Sequence, residues 1–261
     1  MHLFAREEGE GPAVLLIHSS GMSSRQWRKL VGTLAPTHRV IAPDLIGSGQ
    51  SPPWADDAPF HFHRDVDALE AAVAHVPTRV HVVGHSYGGL LALTLARRSP
   101  GRVASLALYD PVAFGVLHDA GDLDGLADLA MVDDGAFHDD ATGGDDAWYE
   151  QFVDYWNGPG VWRQLPERDR TAFLATGRKV FSEVTSLLKD RTPLRDYVPL
   201  AMPTLLLTGS RTPIAAQRVV ALLATAMPHA RVETIEGAGH MGPITHGAAV
   251  NELVAAHIAA S

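Results

Sequence analysis

Apolar positions along the chain fall into short continuous runs rather than alternating ones. Val14-Leu15-Leu16-Ile17 ends at His18, and His38-Arg39-Val40-Ile41-Ala42 ends at Pro43-Asp44. Further runs follow at Val80–Val83, Val103–Tyr109, Thr204–Thr208 and Arg231–Ile235. Such continuous runs imply strands covered on both faces, as in a parallel sheet between helical layers. Between the runs lie helical candidates at Arg64–His75, Tyr87–Arg98, Pro213–Ala226 and His246–Ala259. This alternation predicts an α/β fold: a mostly parallel, doubly wound sheet with right-handed crossovers. Ligands of such sheets bind beyond the carboxyl ends of the strands.

The alternation lapses between Pro111 and about Pro199, where no strand candidate of comparable strength occurs. The chain thus divides into a core, residues 1–111 and 200–261, and a helical cap, residues 112–199, inserted between two core strands. The first part of the insertion, Asp119–Asp146, holds ten aspartates and no Lys or Arg. Aspartates spread this loosely do not match a metal loop; they predict a solvated face. The second part is aromatic, with Trp148, Phe152 and Tyr155 at i, i+4 and i+7 on one helix face. That stripe suits a cap laid over the sheet, where it can both pack and line a pocket.

Chemistry enters at Gly84-His85-Ser86-Tyr87-Gly88, directly between an apolar run and a helical one. A Gly-x-Ser-x-Gly in that context is a nucleophile elbow, a turn so sharp that Ser86 is strained and its hydroxyl points outward. Strand and helix approach closely on either side of it, which requires small residues at positions 84 and 88. A serine hydroxyl needs a neighbouring base, itself held by a third group. Of the fourteen histidines, His240 is the candidate base, because glycines flank it in a loop after the last strand.

Composition narrows the rest. A chain of 261 residues, 46% hydrophobic and 20% charged, can bury one substantial core. The net charge of −9 argues against a nucleic-acid partner. Absence of cysteine excludes disulfides, thiol catalysis and thiolate metal sites, and suits a cytoplasmic protein. The first residues lack the pattern of a signal peptide, and no stretch approaches the ~20 apolar residues of a membrane span. Gly47-Ser48-Gly49 lacks the rest of a nucleotide-binding motif, and His61-Phe62-His63 is isolated and reads as a surface segment. No cofactor and no metal are implied, and the expected partner is a small ester-like molecule rather than nucleic acid or membrane.

Four segments together resemble the α/β-hydrolase family over nearly the whole chain. His18-Ser19-Ser20-Gly21, with Trp27 following, is similar to the family's oxyanion loop, although Ser19 stands where glycine is usual. Asp44-Leu45-Ile46-Gly47-Ser48-Gly49-Gln50-Ser51 is similar to the turn after the next strand, where Asp44 has a structural role. Gly84–Gly88 matches the elbow and Gly237–Pro243 the histidine loop. The resemblance implies an oxyanion hole made by the backbone N–H groups of Ser20 and Tyr87. It also places an acid a few residues after the strand Leu205–Thr208, where this chain has Thr212. Some members carry the acid after the preceding strand, and there Asp110 stands, preserving the order Ser86, Asp110, His240. Asp110 could instead cap a helix beginning at Pro111.

The expected activity is cofactor-free hydrolysis of a carboxylic ester, lactone or thioester through an acyl-enzyme on Ser86. Two alternatives stand beside it. One is carbon–carbon bond hydrolysis on the same fold, although Met241 occupies the place where an aromatic residue is typical of that branch. The other is a degenerate hydrolase that binds a small molecule without turnover, suggested by Thr212 and Ser19.

Overall fold

A computed structural model describes residues 2–54, 60–132, 135 and 137–261. The strands are β1 (Ala5–Glu8), β2 (Ala13–Ile17), β3 (Arg39–Pro43), β4 (Val80–His85), β5 (Val103–Tyr109), β6 (Thr204–Gly209) and β7 (Ala230–Ile235). They form one sheet in the order β1-β3-β2-β4-β5-β6-β7, antiparallel between β1 and β3 and parallel elsewhere. Helices of the sheet-forming part are α1 (Arg28–Leu34), α2 (His63–Ala72) and α3 (Tyr87–Arg98). Between β5 and β6 the chain forms α4 (Gly115–Ala120), α5 (Leu123–Leu129), α6 (Asp146–Asn157), α7 (Val161–Gln164), α8 (Glu167–Leu174) and α9 (Gly177–Leu188). After β6 come α10 (Ile214–Ala226), α11 (Gly242–Thr245) and α12 (Gly247–Ala259).

The strand periodicity of two sorts each buried run onto two faces. Leu15, Ile17, Val82, Leu106, Leu108 and Leu206 join α3 and α10 in one core. Val14, Leu16, Val83, Ala107, Leu205 and Leu207 join α1 and α12 in the other. This is the doubly wound arrangement that the continuous apolar runs predict. The exceptions are the edges. β7 is largely exposed, and β1, which its mixed sequence hides from a hydrophobicity reading, pairs only with β3.

Register then decides what meets at the carboxyl ends. Ile17 pairs with Gly84, and His85 with Tyr109. Consequently Ser86 and Asp110 leave adjacent strands at the same level, with the loop after β2 on the other side of Ser86. The order β3-β2-β4 also means that the strand order switches sides between β2 and β4, opening the crevice in which α/β sheets bind ligands.

Between β5 and β6 the acidic stretch departs from expectation. Asp122 is buried, accepts the Gly125 N–H as the cap of α5, and pairs with Arg218 of α10. Asp128 accepts hydrogen bonds from the Tyr155 hydroxyl and the Ala215 N–H. Asp145 caps α6, and Asp146 accepts the Trp162 indole N–H. These aspartates are structural because they terminate helices and dock the segment on α10, which a count of charges cannot reveal. Asp133 and Asp134 lie outside the described residues. The aromatic stripe packs as expected, with Trp148 stacked on Phe152 and Tyr149 on Trp162. In the His61–His63 segment both histidines are exposed while Phe62 is buried.

Candidate active site

Ser86 has φ 55° and ψ −118°, the sharp turn demanded between β4 and α3. A Cβ at Gly84 would strike the Gly88 carbonyl, and one at Gly88 the carbonyls of Ile17 and His18. Only glycine therefore fits at either position. Asp110, with φ 43°, is the other non-glycine residue of positive φ among the described residues. Two such strained positions side by side at the sheet's carboxyl edge mark a place where geometry is held against local preference.

The strained pair converges on His240. The imidazole Nε2 lies 2.9 Å from Ser86 Oγ and accepts its hydrogen, while Nδ1–H donates to Asp110 Oδ2 at 3.1 Å. All three side chains are buried. Asp110 caps no helix: the next one starts at Gly115. Thr212, at the usual position of the family acid, donates its hydroxyl hydrogen to Asp110 Oδ2 at 2.9 Å. Threonine thus supports the carboxylate of the neighbouring strand instead of supplying its own.

Burial dominates the electrostatics. It pushes the Asp110 carboxyl up to about 8, opposed by the Thr208 and Thr212 hydroxyls, and pulls the His240 imidazole down to about 3. The histidine is consequently neutral and able to accept a proton at ordinary pH.

Several groups missed in the sequence fix this arrangement. His85 Nε2–H donates to the His240 carbonyl at 2.9 Å, and the Tyr109 hydroxyl to the Gly239 carbonyl at 2.7 Å. Both tie down the histidine loop from the sheet. Trp156 of α6 stacks on the His240 ring, with centroids 3.7 Å apart and planes 22° from parallel. An indole face so placed stabilises an imidazolium when it forms. No sequence pattern connects residues 156 and 240; the contact arises only when α6 folds over the sheet.

The Ser20 and Tyr87 N–H groups make no hydrogen bond within the chain among the described residues, and both residues flank Ser86. The loop carrying Ser20 is shaped by His18, whose Nδ1–H donates to the Ser19 carbonyl while Nε2 accepts the Leu45 N–H. Ser19 itself bonds Gln26 through both its N–H and its hydroxyl. Asp44 accepts the Ser24 and Gln50 N–H groups, a structural position as the resemblance implies.

Behind Tyr87 lies a buried ionic cluster. The Tyr87 hydroxyl donates to Asp65 Oδ2 at 2.7 Å, and Lys179 Nζ of α9 reaches the same oxygen at 3.0 Å and Glu183 Oε1 at 2.6 Å. Burial alone would lower Lys179, but the Glu183 and Asp65 carboxylates outweigh it and hold the ammonium above its ordinary value. Lys179 therefore pins α9 to α2 and to the residue after Ser86. We expect Lys179→Met to leave two buried carboxyls without their cation, at a cost of about 3–5 kcal/mol. A chain of this size would then unfold roughly 10 °C earlier. Circular dichroism melts would check it, and a midpoint matching the wild type would count against a structural role.

Ser86 and Ser20 border two compartments. One is small, about 20 Å³, and walled by Val112, Phe114, Phe152, Trp156 and Leu187. The other, about 150 Å³, is walled by Met22, Phe152, Trp156, Leu165, Phe173 and Met241. Among the described residues no group of three or more metal-ligating side chains occurs, and no helix is long and apolar enough to cross a membrane.

With this geometry in place, comparison with known proteins is informative. The family model for the alpha/beta hydrolase fold matches residues 12–247. An uncharacterized protein of Mycobacterium tuberculosis, Rv2715, is 32% identical over 255 residues, covering 90% of this chain and 72% of its own length. A pimeloyl-[acyl-carrier protein] methyl ester esterase of Methylococcus capsulatus is 41% identical over 109 residues, 41% of this chain and 40% of that protein. Among solved structures, a meta-cleavage product hydrolase (CumD) from Pseudomonas fluorescens IP01 superposes with a TM-score of 0.73 at 21% identity. That match covers 97% of this chain and 93% of the other, and supports the fold alone. The sheet order, the strained elbow and the family match agree: this chain belongs to the alpha/beta hydrolase fold family.

Proposed function

We propose that this protein is a serine hydrolase cleaving a carboxylic ester or thioester through an acyl-enzyme on Ser86. The observation that carries the reading is the unbroken chain Ser86 Oγ, His240 and Asp110 Oδ2, with spacings of 2.9 and 3.1 Å. His240 Nε2 takes the Ser86 proton as Oγ attacks the carbonyl carbon, and Asp110 holds Nδ1–H and balances the imidazolium. The Ser20 and Tyr87 N–H groups stabilise the oxyanion. His240 then protonates the leaving oxygen or sulfur, and water repeats the sequence on the acyl-serine. In this reading residues 112–199 act as a cap, which contributes Trp156 and most of the apolar walls.

An activated alkyl phosphonate tests the assignment without any knowledge of the substrate. It should phosphonylate Ser86, with loss of its leaving group, so that only the peptide carrying Ser86 gains the phosphonyl mass. The inactivation rate should rise with pH toward a plateau above about 8, because only the ionised Asp110 supports the base. Thr212→Val removes a hydrogen bond that favours the carboxylate, so its profile should shift to higher pH. Labelling elsewhere, or a profile flat from weakly acidic to alkaline pH, would refute it.

A further inference from the structure

The two compartments at Ser86 are unequal, and only the larger continues. Met22, Leu165, Phe173 and Met241 form the far wall of the 150 Å³ compartment and the near wall of a groove of about 800 Å³. Arg25, Arg28 and Lys29 line that groove. Through Ser23, Arg25 and Gly49 it continues into a polar pocket of about 210 Å³, which Arg6 and Ser24 complete. Shared walls thus link a small apolar compartment beside the Ser86 hydroxyl to a basic end.

With 30 acidic residues against 21 basic ones, half of the 18 arginines pair with a carboxylate among the described residues. Arg39, Arg97, Arg98, Arg163, Arg178 and Arg218 all use one. Arg6, Arg25, Arg28 and Lys29 make no ion pair among the described residues. The Arg6 Nε is moreover buried without a hydrogen-bond partner. Two carboxylates border the path. Asp169 is engaged by Arg168, and Asp44 accepts the Ser24 and Gln50 N–H groups. Arg6, Arg25, Arg28 and Lys29 outnumber the two carboxylates on the path, Asp44 and Asp169, and so leave it a net positive strip that can receive an anion in a chain of net charge −9. Paired guanidinium groups favour the oxygens of a phosphate.

Building on the serine-hydrolase reading, we propose that the substrate is a short-chain acyl thioester or ester whose long leaving group ends in a phosphate. The small acyl group occupies the smaller compartment, where about 20 Å³ leaves room for little more than one water-sized group. The slender leaving arm crosses the groove, and its phosphate lies between Arg6 and Arg25. In the reaction Ser86 Oγ bonds to the acyl carbon while the carbon–sulfur or carbon–oxygen bond breaks. The Ser86 proton passes through His240 to the departing arm. Water then releases the short acid, and the phosphate-bearing thiol or alcohol exits along the basic groove.

Coenzyme A is a suitable probe of the basic end, because it binds there without requiring turnover. Titrated calorimetrically into Ser86→Ala, it should bind at least about tenfold tighter than pantetheine, which lacks the phosphates. Its affinity should fall with added salt and drop about tenfold or more in Arg25→Glu/Arg28→Glu, two exposed positions whose replacement leaves the core intact. In the enzyme with Ser86 present, acetyl-coenzyme A should exceed S-acetyl-N-acetylcysteamine in kcat/KM by about tenfold, a ratio that the double variant should bring toward unity. Equal binding of coenzyme A and pantetheine, no binding, or a variant that binds as well as its parent would overturn the anion site. If coenzyme A binds as described but no ester or thioester is hydrolysed, the anion site stands and the hydrolase reading falls.

Discussion

Ser86→Ala is expected to lower turnover of a short-chain nitrophenyl ester by on the order of 10⁶-fold, the cost of removing a triad nucleophile outright. The substitution deletes only Oγ, which lies 2.9 Å from His240 Nε2. Alanine keeps the Cβ and meets the same backbone demand at φ 55°, so the elbow is preserved. What remains is a pocket, two unsatisfied N–H groups and a histidine with nothing to deprotonate except water. Steady-state rates checked beside a melting curve separate loss of chemistry from loss of fold. A variant that retains more than about a hundredth of the activity would point to another nucleophile or to a contaminant.

Asp110→Asn should cost about 10⁴-fold in kcat, with little change in KM. An asparagine amide can donate to Nδ1 where the carboxylate accepts, so the imidazole is held in the wrong tautomer and Nε2 no longer takes the Ser86 proton. The Thr212 hydroxyl, which donates to Asp110 Oδ2, lies within reach of the same spot. This proximity makes a sharper test possible. Asp110→Asn/Thr212→Asp moves the acid one strand over, to the position usual in the family, and should recover at least about tenfold of the lost rate. Full activity in the single variant would remove Asp110 from the mechanism. No recovery in the double variant would show that the loop at Thr212 cannot orient a carboxylate toward His240.

Both effects depend on groups separated by a long stretch of chain. Ser86 and His240 are 154 residues apart, and Asp110 and His240 are 130. Nothing local in the sequence joins them. What the sequence supplied was three loops, each at the carboxyl end of a strand, and a parallel sheet brings all such ends to one edge. That is why Ser86 and His240 stand out in the chain, whereas Asp110 entered only through the resemblance to the α/β-hydrolase family. The register of His85 with Tyr109 then placed them side by side.

The fold itself was legible for the same reason. Continuous apolar runs of strand length, each followed by a helical spacing, have few arrangements other than a doubly wound sheet. Gly84 and Gly88 were equally readable, since the elbow forbids a side chain at both points. These features are encoded within a few residues of chain, where backbone geometry and periodicity act directly. Short or weakly apolar elements were not legible. β1 has a mixed sequence and gains its place only by pairing with β3.

Tertiary structure alone decided the rest. Lys179 meets Asp65 only because α9 packs against α2, more than a hundred residues away in the chain. Trp156 falls outside the stripe of Trp148, Phe152 and Tyr155 and gains its place only when it stacks on His240. Asp122, Asp128, Asp145 and Asp146 read as a charged surface until they cap helices and accept hydrogen bonds. Arg25 and Arg28 line one groove, and Arg6 joins Arg25 in the adjoining polar pocket, only once the chain is folded. In each instance the energy comes from partners distant in sequence, and burial sets the strength of the interaction. Periodicity and motif spacing record which residues can form an element. They carry no information on which charged or aromatic side chains a finished fold will remove from water together.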